Sequence, residues 1–237
     1  MVTIPLTDLD QLFPDSDGKP MSDNTEQFRW IVLLKENLEI LFADQPLVFV
    51  AGDLLWYPEL STLVPGVAPD AMVVFGRPKG RRGSYRQWQE ENIPPQVVFE
   101  IISPSNTAAE MTRKLEFYQR YGVEEYYLYD PDRNRLQGWL CQESELTKIA
   151  DLQGWISPRL GIRFQPQEPE LAVYFPDGRR FLTTVELSNQ ADQAEQRAAE
   201  AEQRAQQEQQ RAEQEKQRAD RLADYLRSQG INPNDLP

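Results

Sequence analysis

The sequence predicts an α/β fold in which helices flank a mixed central sheet, with antiparallel additions and a long C-terminal helix or coiled coil. Three observations lead to this prediction. Apolar runs of strand length alternate with two amphipathic segments of helical period. One strand-helix-strand unit has the length of a crossover connection, which pairs its two strands in parallel. From about residue 186 the composition changes abruptly to Glu, Gln, Arg and Ala.

Composition divides the chain into four segments. Residues 1–24 form a polar, Asp-rich lead-in that we expect to be loosely ordered. Residues 25–185 carry the apolar runs of a globular domain. Residues 186–229 are rich in Ala, Glu and Arg, and residues 230–237 form a short tail.

The elements of the globular domain follow in order. TEQFRWIVLLKENLEILF (25–42) predicts a helix, with Phe28 and Ile31 on its buried face. Three strands are then predicted, at LVFVAGDLLWYP (47–58), PDAMVVFG (69–76) and VVFEIIS (97–103).

A second helix follows the third predicted strand. Thr107 and Glu110 have the spacing of a capping box, and Gly122 stands where that helix is expected to end. EEYYLYDP (124–131) predicts a fourth strand, parallel to the third because a crossover helix separates them. The region after it predicts antiparallel additions, including a hairpin around Pro176-Asp177-Gly178.

Small apolar residues recur every seven positions in the C-terminal segment. They are Ala191, Ala198, Ala205, Ala212, Ala219 and Leu226. Glu208 and Glu215 interrupt the companion heptad position. The pattern predicts either a solvated single helix with Glu–Arg pairs or a coiled coil that joins chains into a homo-oligomer, because an alanine seam buries little surface.

The composition also restricts the chemistry of the chain. Its 237 residues include no histidine and one cysteine, Cys141, which excludes disulfide frameworks, Cys-cluster or His-ligated zinc, and histidine bases. Catalysis must therefore use Asp, Glu, Lys, Arg, Ser or Tyr. No apolar run approaches the roughly 20 residues of a membrane span, and no signal peptide opens the chain. We expect no membrane association and a cytoplasmic location.

Two carboxylates on neighbouring predicted strands form the first candidate site. Asp70 follows Pro69 at the start of one strand, and Glu100 lies within the next, between apolar residues on both sides. Burying a carboxylate is costly unless a partner compensates its charge. The two acids could converge on Mg²⁺, which takes one or two carboxylates plus water and phosphate oxygens. Alternatively, Asp70 caps a turn and Glu100 pairs with an arginine.

Lys114 is the third candidate, and simple geometry places it. It lies seven residues beyond Thr107, about 10 Å along a helix, whereas Glu100 lies three residues before Ser103, about 10 Å along a strand. Because the helix folds back over the sheet, the two side chains are expected at similar depth. A lysine beside a buried carboxylate is either a structural ion pair or a catalytic group.

Charge marks two further groups of candidates. The net charge of −13 argues against general attraction to nucleic acid, but RPKGRRGSYR forms a local basic loop. Its cations, with no acid between them, are candidates for phosphate contact or are simply solvated: Arg77, Lys79, Arg81, Arg82 and Arg86. Glu36, Glu39 and Asp53 are candidate accessory acids, with a solvated position as the alternative.

The order of these elements and motifs resembles the Uma-type family of restriction-endonuclease-like proteins, in the PD-(D/E)XK nuclease superfamily. Four stretches carry the resemblance: PDAMVVFG, PPQVVFEIISPSNT, EMTRKLEFYQRYGVEEYYLYDP and GWISPRLGIRF. The resemblance implies that residues 25–185 form a nuclease domain around a restriction-endonuclease-like core. It also implies hydrolysis of phosphodiester bonds in DNA with Mg²⁺ or Mn²⁺.

The family's pattern implies a role for each candidate residue. Asp70, Glu100 and the backbone carbonyl of Ile101 would bind the metal, and Lys114 would orient water or stabilise charge on the phosphate. One departure is Ile102, since the common nuclease core carries a lysine two residues after the glutamate. The alternative is a catalytically inactive module that keeps the fold and acts in DNA binding or in protein assembly through its coiled coil.

Overall fold

The computed structural model describes residues 6–18 and 20–229. The chain divides between Thr183 and Thr184 into two compact units. The predicted tail, residues 230–237, lies outside the described residues, as do the first five residues of the lead-in.

The first unit is built from short strands and three helices within the described ranges. They are α1 (Leu6–Leu12), α2 (Thr25–Leu41), β1 (Val48–Ala51), β2 (Trp56–Tyr57), β3 (Ala71–Phe75), β4 (Tyr85–Arg86), β5 (Val97–Ile101), α3 (Ala108–Arg120), β6 (Glu125–Asp130), β7 (Arg135–Gln142), β8 (Glu145–Lys148), β9 (Arg163–Gln165) and β10 (Ala172–Tyr174).

The central sheet has six strands in the order β1-β3-β5-β6-β7-β8. Strands β5 and β6 are parallel, with α3 as the crossover between them, and the other neighbours are antiparallel. This confirms the predicted mixed α/β fold and the parallel third and fourth strands. Two small sheets, β2-β4 and β9-β10, complete the unit.

Alternation along β5 assigns its side chains to two separate cores. Phe99 and Ile101 belong to the core that α2 covers, whereas Val98 belongs to the core that α3 covers. Glu100 therefore faces α3, because successive side chains of a strand point to opposite faces of the sheet. The strand is buried along its whole length, as its apolar sequence predicts.

Helix α2 confirms the predicted element, but its buried face is rotated from the predicted one. Gln27, Trp30, Ile31, Leu34 and Leu38 are among its buried residues, and Phe28 is 45% exposed. Trp30 takes the centre of the buried face, where its ring packs edge-on against Tyr129 with 4.5 Å between centroids. That orientation turns position 28 outward and position 27 inward.

Helix α3 begins and ends where the sequence predicts. The Thr107 hydroxyl accepts a hydrogen bond of 3.2 Å from the Glu110 N–H, which caps the first turn. Gly122 has φ of +86°, the left-handed conformation that commonly terminates a helix.

Two predicted elements differ in detail. The strand predicted over 47–58 breaks into β1 and β2, and Asp53 takes φ of +46° at the break. The predicted hairpin around Pro176-Asp177-Gly178 is present but short: a bridge joins Tyr174 to Arg180, and the other edge of β10 pairs with β9.

The prediction of a loosely ordered lead-in is wrong for its described part. The segment includes α1, and the Phe13 side chain is buried against Tyr57 and Trp88. The Arg86 guanidinium donates a hydrogen bond of 2.7 Å to the Phe13 carbonyl. Aromatic partners distant in sequence hold this segment, and its polar composition does not reveal them.

The second unit contains the predicted long helix, α4 (Thr184–Ser228), of 45 residues. None of its residues is buried within the described chain. No described helix combines the length and apolar character needed to cross a membrane.

Candidate active site

A cleft of about 690 Å³ lies beside the N-terminal half of α3 in the first unit. Lys114 and Arg113 line it from the helix, and Asp70 and Asp53 line it from the segments around β3. Five carboxylates in all face the cleft: Asp17, Asp23, Asp53, Asp70 and Glu110. The cleft is therefore acidic, with two cations on one wall.

Asp70 lines this cleft, and Glu100 lies behind it, in contact with Lys114, which also lines the cleft. Met72 pairs with Val98 and Ala71 with Phe99, so one further step of the same register sets Asp70 opposite Glu100. Their residues are only 7% and 2% exposed. Asp70 Oδ2 accepts a hydrogen bond of 2.5 Å from the Ile101 N–H. The structure thus brings together the two acids that the sequence singled out.

Helix α3 supplies a partner for each oxygen of Glu100. The Lys114 Nζ lies 2.7 Å from Glu100 Oε2. The Tyr118 hydroxyl donates a hydrogen bond to Glu100 Oε1. Lys114 and Tyr118 are four residues apart, so they lie on the same face of the helix. The depth argument made for Lys114 from sequence agrees with this contact.

Burial and mutual repulsion perturb the protonation of the site. Burial and then the negative charge of Glu100 raise the pKa of Asp70 well above its usual range. Burial lowers the pKa of Lys114, but the charges of Glu100 and Asp70 outweigh it and raise that pKa overall. Burial and the Glu100 charge also raise the pKa of Tyr118, so its hydroxyl stays a hydrogen-bond donor.

Gln27 is a site residue that the sequence interpretation missed. Its side-chain N–H donates a hydrogen bond of 3.1 Å to the Ile101 carbonyl, and its side-chain oxygen accepts one of 2.8 Å from the Asp23 N–H. The sequence interpretation placed Phe28 on the buried face of α2, and that placement would point Gln27 away from the sheet. The signal in the sequence was the spacing: Gln27 lies three residues before Trp30, so the two side chains share one face of the helix.

The sequence interpretation also assigned no role to Tyr118. The signal that could have found it is the four-residue spacing from Lys114. A tyrosine at that spacing follows the lysine along the helix toward the same buried carboxylate.

The three candidate accessory acids separate into two groups. Asp53 lines the cleft, and burial together with the charges of Asp17 and Glu100 raises its pKa to about 6, although Lys114 opposes the shift. Glu36 and Glu39 lie on α2 instead, in ion pairs with lysines. Only Asp53 is thus close to Asp70 and Glu100.

The basic loop is largely paired with acids from elsewhere in the chain. Glu90 lies 2.9 Å from Arg77 and 2.7 Å from Arg82. Other partners are Glu39 for Lys79, at 3.2 Å, and Asp10 for Arg86, at 2.8 Å. Arg81 is exposed. These pairs reduce the free positive charge of the loop, and its contact with nucleic acid stays a prediction.

The donor atoms at the base of the cleft suit a hard cation. Within the described ranges, no group of three or more acidic or cysteine side chains is placed to surround a metal. Two carboxylates and the Ile101 carbonyl are nevertheless a sufficient oxygen set for Mg²⁺, which keeps several water ligands. Burial and then the charge of Glu100 raise the pKa of Asp70, and Lys114 offsets only part of this shift. A cation would offset it.

The mixed sheet, its crossover helix and this pair of acids place the protein in the restriction-endonuclease-like class of folds. The family model described as "Uma2: Putative restriction endonuclease" matches residues 19–206. The match spans most of the chain, so the chain belongs to this nuclease family, and the resemblance noted in the sequence is confirmed.

Among solved structures, the chain is similar to a crystal structure from Anabaena variabilis ATCC 29413, described as "a putative nuclease belonging to DUF820". The two share 15% sequence identity with a TM-score of 0.43, over 62% of this chain and 81% of that one. No curated protein matches the chain.

Proposed function

We propose that this protein is a metal-dependent endonuclease that hydrolyses phosphodiester bonds in DNA. The observation that carries the proposal is the position of Asp70 and Lys114 in one cleft, with the buried Glu100 opposite Asp70 and in contact with Lys114. Nothing in the folding of the sheet requires two facing acids there. Membership of a restriction-endonuclease family supports the same chemistry.

Each residue at the base of the cleft has a role in this proposal. Asp70, Glu100 and the Ile101 carbonyl hold Mg²⁺ or Mn²⁺, which when bound polarises the phosphate and lowers the pKa of water. Asp70 is fixed for this role by the Ile101 N–H, and the Ile101 carbonyl by Gln27. Lys114 carries the positive charge that stabilises the phosphate as negative charge develops on it.

The lysine enters the proposed site from α3. Position 102, where the common nuclease core has its lysine, is occupied by Ile102, which packs in the core that α3 covers. Lys114 Nζ nevertheless lies 2.7 Å from Glu100, so a lysine and the strand glutamate are in contact by another route. This geometry supports a catalytic role for Lys114.

DNA is the proposed partner, and the cytoplasm the proposed location. Arg113 at the wall of the cleft and the exposed Arg81 of the basic loop are the cations best placed to contact phosphate. The paired Arg77, Lys79, Arg82 and Arg86 would have to exchange carboxylates for phosphates. The salt dependence of DNA binding would report how many of them do so.

A cleavage assay tests the proposal. Native protein, Asp70→Ala and Glu100→Ala are incubated with supercoiled and linear DNA, with Mg²⁺, with Mn²⁺ or with EDTA. We expect metal-dependent cleavage by the native protein and a loss of about 100-fold or more in each variant, because each removes stabilisation of the transition state. Equal background cleavage in all samples would contradict the proposal.

The second candidate function is an inactive module that binds DNA or assembles through α4. The observation that favours it is the pairing of four of the five loop cations with acids, together with Ile102 at the strand position. DNA binding without cleavage in the assay above would support this candidate.

Oligomerisation through the heptads of α4 is a separate proposal. We expect deletion of residues 187–237 to lower the number of chains per particle, which is the mass measured by analytical ultracentrifugation divided by the mass of one chain. Ala205→Asp with Ala212→Asp places charge in the seam and should have the same effect. The matched control, Gln207→Asp with Gln214→Asp, adds equal charge outside the seam. An unchanged number of chains per particle in every variant would leave α4 a solvated single helix.

A further inference from the structure

Tyr118 and Lys114 divide the two oxygens of Glu100 between them. The tyrosine hydroxyl donates to Oε1, and the lysine ammonium lies 2.7 Å from Oε2. Tyr118 is completely buried, whereas the Lys114 side chain is 20% exposed and lines the cleft. The partner of Oε1 is thus sealed in the core, and the partner of Oε2 reaches solvent.

Packing, independent of the hydrogen bond, holds the Tyr118 ring. The ring is parallel to that of Trp56, at 3° and 6.3 Å between centroids. It also contacts the rings of Phe117 and Tyr126, at 5.9 and 5.1 Å. The hydroxyl therefore stays where Glu100 meets it, and replacing Tyr118 by phenylalanine removes one oxygen while the packed ring remains.

We propose that Tyr118 is a positioning residue for metal binding: its hydroxyl occupies Glu100 Oε1 and thereby presents Oε2 to the cleft. This role rests on the proposed function. A carboxylate is free to turn about its last side-chain bond, and a fixed donor on one oxygen removes that freedom. Groups that hydrogen bond to metal ligands orient them in this way, and their loss weakens metal affinity by about 10–100-fold.

By the same geometry, Lys114 contacts Oε2, the oxygen of Glu100 that can exchange one partner for another. If a cation bound Oε2, Lys114 would share this oxygen or turn toward the cleft, where its charge would meet the substrate phosphate. Tyr118 would make no such movement, because its ring contacts those of Trp56, Phe117 and Tyr126.

Tyr126 provides a matched control for the hydroxyl. It is as completely buried as Tyr118 and stands on β6, in the same core. No described residue forms a hydrogen bond with its hydroxyl. Tyr126→Phe and Tyr118→Phe therefore remove the same atom from neighbouring rings, but only the second removes a bond to Glu100.

The test is a Mn²⁺ titration of the full chain, with free Mn²⁺ followed by electron paramagnetic resonance. We expect the dissociation constant to rise by about tenfold or more in Tyr118→Phe and to stay unchanged in Tyr126→Phe. Asp70→Ala is included to locate the bound ion, and thermal melts in EDTA confirm that each variant is folded.

Each of the other outcomes contradicts either the positioning role of Tyr118 or the proposed metal site. If native protein binds Mn²⁺ and Tyr118→Phe binds it equally well, the positioning role is wrong and the proposed function survives. An equal loss of affinity in both phenylalanine variants, or unfolding of Tyr118→Phe alone, makes the tyrosine structural. Absence of binding by native protein, or binding that Asp70→Ala leaves unchanged, overturns the metal site and this role with it.

Discussion

Glu100 in β5 and Glu125 in β6 are both buried glutamates on neighbouring parallel strands. Their partners differ. Within the part of the chain that the structure describes, the Glu125 carboxylate accepts hydrogen bonds from neutral groups: the Tyr127 hydroxyl at 2.8 Å, the Ser157 hydroxyl at 2.5 Å and the backbone N–H of Arg159 at 2.6 Å. These bonds hold the turn around residue 157 against the sheet.

Glu100 instead faces a cation and a second acid. Lys114 contacts it from α3, Asp70 lies opposite it directly before β3, and both Lys114 and Asp70 line the cleft. The comparison shows that burial of a carboxylate does not by itself identify a functional site. The charge of the partners and access from solvent make the distinction.

One expected difference between the two glutamates is in the stability of the protein without metal. Glu125→Ala takes the acceptor from two buried hydroxyls and from the part-buried Arg159 N–H, and it should lower the free energy of unfolding by about 3 kcal/mol. Glu100→Ala leaves one buried donor, Tyr118, while Lys114 can turn to the cleft, so a loss of about 1 kcal/mol is expected. Urea denaturation in EDTA measures both. Equal losses of unfolding free energy in the two variants would contradict the expected difference between the two glutamates.

Metal binding should show the opposite order: here the substitution of Glu100 should have the larger effect on stability, and that of Glu125 the smaller. At a Mg²⁺ concentration of about 100 times Kd, the native protein should gain about 2.7 kcal/mol in unfolding free energy, because only the folded state binds the ion. We expect no gain for Glu100→Gln and the full gain for Glu125→Gln. Thermal melts with and without Mg²⁺ provide the measurement, and a gain that persists in Glu100→Gln would remove that residue from the metal site.

The smallest expected effect is the pH dependence of stability that Asp53, in the acidic cleft, contributes. Burial and neighbouring acids raise its pKa to about 6, so between about pH 4 and 6 the folded state holds a proton that the unfolded state loses. Its contribution to stability therefore falls as pH rises through this window. Because Asp53 is partly exposed, its contribution to the change in unfolding free energy over this pH range should stay under about 1 kcal/mol.

The matched variant for this effect is Asp53→Asn, which cannot titrate. In EDTA, the difference in unfolding free energy between Asp53→Asn and native protein should grow from pH 4 to pH 6 and then level off. A difference that is flat across this range would show that Asp53 does not sense the charges of the cleft.

Features that depend on nearby residues were predicted well. Thr107 and Gly122 bound α3 because capping is a local interaction, and the length of the crossover alone predicted parallel β5 and β6. The pair of Asp70 and Glu100 followed from two strands that proved to be neighbours. Lys114 followed from the helical and strand rises.

Features that depend on distant partners were not predicted. The basic loop looked unpaired because Glu39 and Asp10 are remote from it in sequence and Glu90, eight residues after Arg82, lies beyond the loop. The lead-in looked loosely ordered because the aromatic pocket for Phe13 is built from β2 and the turn at Trp88.

By itself, the sequence determined which chemistry was available: no histidine, one cysteine, and acids and a lysine placed by the regular rises of strand and helix. Only the tertiary structure decided which atoms meet. Tyr118 bonds to Glu100, and Gln27 bonds to the Ile101 carbonyl from 74 residues away in the chain. A hydrogen bond requires its two atoms within about 3 Å, and that distance is set by packing of the helices on the sheet.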